Sequence, residues 1–286
     1  MRSTIVAAEG LLIGVAAKAE ATPRPGECSC GDSRAAAVQN EARVRWPATT
    51  YLVSHRYRFI YCPIPKNACS SLKEWYLLTQ GMDRHDPAWP TDVHIYCQER
   101  ALTDPADLER GYFTFAFVRN PWSRLVSGYV QKFLGDWDIS SSPSRAVVEE
   151  IYLSGGLAPD HAKSITFRQF ADYVEAHEDR GLDPHWKPQH CFLRYTSFDF
   201  IGRVENLAAD FESIVERLGI HERDLAEANR TSYGDQVRDC VADRPATELR
   251  ALARMPHYRQ FYTDDLRRRV ARRYARDIEM FGYTFE

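Results

Sequence analysis

A short apolar run that stops at two prolines, then a lysine and a row of small residues, sets the terms on which this chain can fold. Arg58 to Cys62 is aromatic and β-branched, the composition of a buried strand. Pro63 and Pro65 end it, because neither can donate to a sheet ladder. Ser71-Leu72-Lys73-Glu74 has the form of a capping box, so a helix is expected from Ser70 or Ser71, with Ser71 as its N-cap. Strand, tight loop with Lys66, helix: this order aims several backbone N–H groups at one point and suits a phosphate-like anion. The Walker pattern is absent, since the loop has no glycine and its lysine precedes the small residues. The same residues also fit an ordinary strand–turn–helix unit that holds nothing.

Two further blocks bear on that choice. Pro65-Lys66-Asn67-Ala68-Cys69-Ser70-Ser71-Leu72-Lys73 resembles the 5'-phosphosulfate loop of the family-2, carbohydrate-type sulfotransferases. The nearest pattern is that of the chondroitin 4-O- and HNK-1-type enzymes and their bacterial relatives. Phe117-Val118-Arg119-Asn120-Pro121-Trp122-Ser123-Arg124-Leu125-Val126-Ser127-Gly128-Tyr129 is similar to the 3'-phosphate motif of that family, and Phe198 to Leu207 is similar to its third block. Order and spacing agree over about residues 50–286. The resemblance implies the donor 3'-phosphoadenosine 5'-phosphosulfate (PAPS), whose product is 3',5'-adenosine bisphosphate, and a hydroxyl acceptor on a carbohydrate or glycoconjugate. It implies no metal. Trp122 stands where the family commonly has Phe, Asn120 where it has Asp, and Leu72 where an aromatic is common.

Composition narrows the setting. A chain of 286 residues can bury a full core. A net charge of −3 announces neither nucleic acid nor a polyanionic partner, so any basic site must be local. Seven cysteines include only one close pair, Cys28-Ser29-Cys30, which lacks redox or zinc spacing. Mostly free, buried thiols are expected, and with them a reducing, cytoplasmic setting. Thr4 to Ala17 is mildly apolar, with Ala17-Lys18-Ala19 imitating a cleavage site, but Glu9 interrupts it and it is too short to span a bilayer. A weak export or anchor signal therefore stands beside a partly helical extension. Residues 1–50 are expected to be an N-terminal extension and lead-in, and 51–286 a single domain.

Along the chain, Tyr51 to Val53 reads as a short edge strand and Thr91 to Cys97 as a strand or extended segment. Thr103 to Arg110 reads as a short helix with Pro105 in its first turn. Tyr112 to Val118 is a continuous apolar strand, and Asn120-Pro121 starts the next helix. Helices are expected over 145–153, over 166–178 from a Thr166/Gln169 capping box, and over 206–218 up to Gly219. Phe198 to Val204 is a further strand. One last helix is expected from about Thr263, with Leu266, Val270, Tyr274, Ile278 and Phe281 on one face. The arginines at 267–269, 272, 273 and 276 read as a solvated stripe on it. Strands alternating with helices predict an α/β, P-loop-like three-layer fold, its central sheet mainly parallel and flanked by helices. Ligands then bind at the carboxyl ends of the strands, where Lys66 and Arg119 both fall.

By resemblance, Lys66 meets the oxygen between sulfur and phosphorus. Asn67, Ala68, Cys69, Ser70 and Ser71 cradle the 5'-phosphate, and Arg119 and Ser127 hold the 3'-phosphate. A planar guanidinium suits that last task. Arg124 is either a further ligand or half of a structural ion pair. The acceptor hydroxyl needs a base, for which histidine has a suitable pKa. His94 is the foremost candidate, at a position similar to the catalytic histidine of the uronyl 2-O-sulfotransferases. His185, in His-Trp-Lys-Pro, is the second. Residues 134–192 are the expected place for acceptor contacts. Two other readings stay open: a degenerate nucleotide- or carbohydrate-binding module, and a nucleotide-dependent kinase.

Overall fold

A computed structural model describes residues 51–101, 105–135, 143–193, 196–226, 233–234 and 239–285. The expected extension over 1–50, with Cys28 and Cys30, lies outside them. Four strands make one sheet in the order β1 (Leu52–Ser54), β2 (Phe59–Cys62), β3 (Phe113–Val118), β4 (Phe200–Arg203). β2, β3 and β4 run parallel, with Phe59 opposite Phe113 and Phe115 opposite Phe200. β1 is the antiparallel edge, Leu52 opposite Tyr61. The mainly parallel sheet is thus as expected.

Both faces are covered, which is why β2 and β3 read as unbroken apolar runs rather than alternating ones. Phe59, Tyr61, Phe115 and Phe117 point to one face, packed with Leu72 and Trp75 of α1 (Cys69–Thr79). Cys97 of α2 (Val93–Glu99) belongs to the same cluster. Ile60, Cys62, Ala116 and Val118 point to the other, under Phe192, Phe281 and Tyr283. A third apolar cluster gathers α3 (Pro121–Tyr129), α4 (Pro143–Ser154) and α5 (Phe167–Ala176) around Tyr129, Phe170 and Trp186. On the first face α6 (Leu207–Leu218) brings Phe211, Ile214 and Val215. The short α7 (Ala246–Arg250) and α8 (Asp264–Arg273) join the third cluster through Leu249 and Leu266, and α9 (Ala275–Phe281) closes the chain.

Where the code is local, sequence and structure agree. Asn120 caps α3, its side chain accepting from the N–H groups of Trp122 and Ser123. Thr166 and Gln169 form the reciprocal box of α5, and Gly219 ends α6 in the left-handed region. Four expectations are corrected. The capping box at Ser71 does not form: α1 begins at Cys69 behind a left-handed Ala68, and Ser71 sits inside the first turn. Residues 93–99 are helical rather than extended, because Asp92 caps the N–H groups of His94 and Ile95. The final helix is two, α8 and α9, broken at Tyr274. The helix expected over 103–110 is a 3-10 turn, Pro105–Glu109, with 103 and 104 outside the described residues.

The arginine stripe is not a simple solvated face either. Arg269 bonds Asp172 and Glu175, and Arg273 bonds the carbonyls of Val174 and His177 and the Asp179 carboxylate. No helix among the described residues is long and apolar enough to cross a membrane.

Candidate active site

The loop after β2 carries an unusual backbone. Lys66 and Ala68 both lie in the left-handed region, at φ 72° and 56°. Each costs a residue with a Cβ about 1–2 kcal/mol. A turn from Asn67 N–H to the Ile64 carbonyl (3.2 Å) closes the loop, and the first helical bond runs from Leu72 N–H to Ala68 O (3.1 Å). Ala68, at the N-cap, has no side-chain acceptor to offer. In any α-helix the first-turn N–H groups lack intrahelical partners, so this turn faces outward with donors toward whatever lies before it. That is also why the box at Ser71 fails: serving the loop and capping the helix need different backbones.

Lys66 is held at the head of this turn. Its Nζ donates to Gln131 Oε1 (2.8 Å). Burial lowers its pKa to about 7; Cys69 opposes this, and Arg119, Lys132 and Arg124 each add a smaller push downward. Several cations around one half-buried ammonium make a region whose charge suits an anion. A loop of outward N–H groups beneath a cation cluster fits a phosphosulfate.

Arg119 follows β3 at the same carboxyl edge. Its Nε donates to Ser123 Oγ (3.0 Å) and its Nη1 to the Lys66 carbonyl (3.2 Å). Ser127 lies one turn beyond Ser123 on α3 and shares its helical face. The open question over Arg124 closes: fully buried, it donates to the carbonyls of Pro65, Lys187 and Pro184 at 3.0, 2.7 and 3.0 Å. It is a structural brace between the lysine loop and residues 184–187.

The two histidines sit differently. His94 Nε2 meets Ser70 Oγ (3.0 Å), and its Nδ1 meets Lys73 Nζ (3.2 Å). Burial, then the Lys73 charge, lowers its pKa to about 4. An ammonium on Nδ1 leaves the proton on Nε2, donated to Ser70. His185 Nδ1 pairs with Asp183 Oδ1 (2.6 Å), and its Nε2 has no hydrogen bond among the described residues. Burial pulls the His185 pKa down while Asp183 pulls it up; the net is a lowered value. Asp183 is itself lowered: burial opposes, but the His185 hydrogen bond and charge outweigh it. The helix of Ser127 passes so near that a Cβ on Gly128 would stand 3.4 Å from the His185 carbonyl oxygen. Lys66 and Lys132 both act on the His185 charge.

Several residues of this site escape a reading of motifs. Gln131, Lys132, Asp183 and Asp277 carry no local pattern. Gln189 is fully buried. Its Oε1 accepts from Asn67 Nδ2 (2.7 Å) and Arg119 N–H (2.9 Å), and its Nε2 donates to Arg119 O (2.8 Å). The only available signal was its place in His185-Trp186-Lys187-Pro188-Gln189. One cluster has metal-ligand chemistry among the described residues, Asp179, His190 and Cys191. Its groups are already engaged by neighbours: Arg273 takes an Asp179 oxygen, and Asp277 holds His190.

A mainly parallel sheet with cationic side chains and first-turn N–H groups gathered beyond its carboxyl edge defines an α/β protein whose strand ends suit an anion. The sulfotransferase family matches residues 49–284, and the chain belongs to it. It is 28% identical over 249 residues to carbohydrate sulfotransferase 14 of Danio rerio, covering 81% of this chain and 61% of that protein. It is 32% identical over 179 residues to the Mus musculus protein of the same name, covering 58% and 45%. Carbohydrate sulfotransferase 9 of Homo sapiens is 24% identical over 258 residues, covering 81% and 52%. The chain thus spans about half of the length of these curated relatives. No solved structure matches.

Proposed function

We propose that this protein moves a sulfuryl group from 3'-phosphoadenosine 5'-phosphosulfate to a hydroxyl of a carbohydrate or glycoconjugate. The observation that carries the proposal is Lys66: half-buried on a strained loop, near Arg119, Arg124 and Lys132, and lowered to a pKa of about 7. Such a site is costly unless an anion fills it. The names of the relatives support the acceptor class.

The donor supplies the sulfuryl group and departs as 3',5'-adenosine bisphosphate. Lys66 neutralises the charge that gathers on the 5'-leaving oxygen, an electrostatic task performed best in a site prepared beforehand. The backbone of Asn67, Ala68, Cys69, Ser70 and Ser71 takes the 5'-phosphate, and Arg119 with Ser127 the 3'-phosphate. His185 is the base. Asp183 fixes its Nδ1–H and leaves Nε2 to accept the proton of the acceptor hydroxyl, the arrangement expected of an oriented general base. His94, with both nitrogens engaged, positions Ser70 instead. Cys62, Cys69, Cys97, Cys191 and Cys240 form no disulfide among the described residues, which supports a reducing, cytoplasmic setting.

Thermal stability with 3',5'-adenosine bisphosphate, AMP, or ATP with magnesium tests the donor. A ligand at 100 times its Kd adds about 2.7 kcal/mol. A shift with the bisphosphate alone is expected, followed by bisphosphate release from PAPS when a hydroxyl acceptor is added. A shift with ATP and magnesium alone would replace this reading by a kinase, and binding without turnover on any acceptor would leave a binding module.

A further inference from the structure

Gln189 touches both halves of the donor site and neither phosphate ligand's functional end. Its amide serves both sides: the oxygen takes the loop side chain Asn67 and the main-chain N–H of Arg119, and the nitrogen donates to the Arg119 carbonyl. Asn67 in turn spends its second N–H on the Phe117 carbonyl (2.8 Å). The orientation of both amides is fixed by this network, because Asn67 faces two acceptors and Gln189 faces one N–H and one carbonyl of the same residue. Gln189 is itself pinned from behind. Its N–H donates to Asp277 Oδ2 (2.6 Å), and that fully buried carboxylate also accepts from His190 N–H (2.9 Å) and His190 Nδ1 (2.7 Å). The chain of contacts therefore runs from α9 through Gln189 to the lysine loop and the arginine together.

We infer that Gln189 is a positioning residue that sets the register between the loop holding the 5'-phosphate and Arg119 holding the 3'-phosphate. The inference rests on the donor reading above. A nucleotide with two phosphates on one ribose gains from the second contact only while both half-sites stand at the right separation, and that gain is lost when they move independently. Gln189 bonds both through buried contacts, beside the direct bond from Arg119 Nη1 to the Lys66 carbonyl. A role limited to folding would lower stability and leave that gain untouched.

The experiment compares the Kd of 3',5'-adenosine bisphosphate with that of AMP, by calorimetry, in the full chain and in Gln189→Glu and Gln189→Leu. The first variant keeps an accepting oxygen, replaces the donor to Arg119 with a second acceptor and adds a carboxylate charge. The second removes all three bonds. The parent is expected to prefer the bisphosphate strongly. That preference should fall by about tenfold or more in Gln189→Leu and by a smaller factor in Gln189→Glu, while AMP affinity changes less. Folded variants with lowered Tm and an unchanged preference would overturn the inference and leave the donor reading standing. If Gln189→Leu does not fold, Gln189→Glu decides alone. If neither folds, Gln189 is a folding residue and the inference is overturned. A parent with no preference for the bisphosphate would sink the donor reading, and this inference with it.

Discussion

At the scale of single residues, Lys66 is the most exacting. With a pKa of about 7 in the free protein, it is partly neutral under ordinary conditions, whereas a bound anion favours its ammonium form. Binding therefore takes up a proton at pH 8, and affinity falls as pH rises past 7, by up to about tenfold per unit. Calorimetry in buffers of different ionisation heats reads this directly; Lys66→Met should show no uptake. The absence of uptake in the parent would remove Lys66 from the pocket. The two histidines separate in kinetics. His185→Asn should lower kcat by about 10²–10⁴, and His94→Ala should weaken donor binding more than it slows turnover; the reverse pattern would return the base to His94. Lys66 and Arg119 were legible because each acts within a local strand–loop–helix unit. Gln189 was not, because its partners lie 122 and 70 residues away and nothing near it announces them.

At the scale of elements, β3 and β4 meet through a glycine. A Cβ on Gly202 would stand 2.5 Å from the Phe117 ring, which is fully buried against α1 and α6. Gly202→Ala must push that ring or the strand, and overpacking of this kind costs about 1–3 kcal/mol. The urea midpoint should fall with the slope unchanged; an unchanged midpoint would mean that the ring moves freely. Such contacts explain which elements the sequence announces. Asn120 and Thr166 cap helices through residues two or three positions away, so their signals survive in the bare sequence. The Asp92 cap was masked by β-branched Thr91, Val93 and Ile95, which favour extended backbone. The Ser71 box was overruled by the left-handed Ala68 that the loop requires.

At the scale of the whole molecule, α9 ties the chain together. The Asp277 hydrogen bond raises the pKa of His190 to about 9, with Cys191 adding to it against burial. Its folded value lies above the unfolded value of about 6.5, so the stabilisation is complete below pH 6.5 and is lost as pH rises through 9. Tm should drop by roughly 5 °C across that window, and His190→Gln should flatten the drop. A parent whose Tm is level from pH 6.5 to 9 would deny the pairing.

The same carboxylate lies 88 residues beyond the glutamine it holds. At about 5–20 residues per second, a ribosome needs about 4–18 s to pass from one to the other. A nascent chain therefore shows its lysine loop and its arginine well before the brace that aligns them has been made. Affinity for the nucleotide should arrive last in synthesis, so that a chain cut short before α9 is made, however complete its motifs, ties up no donor.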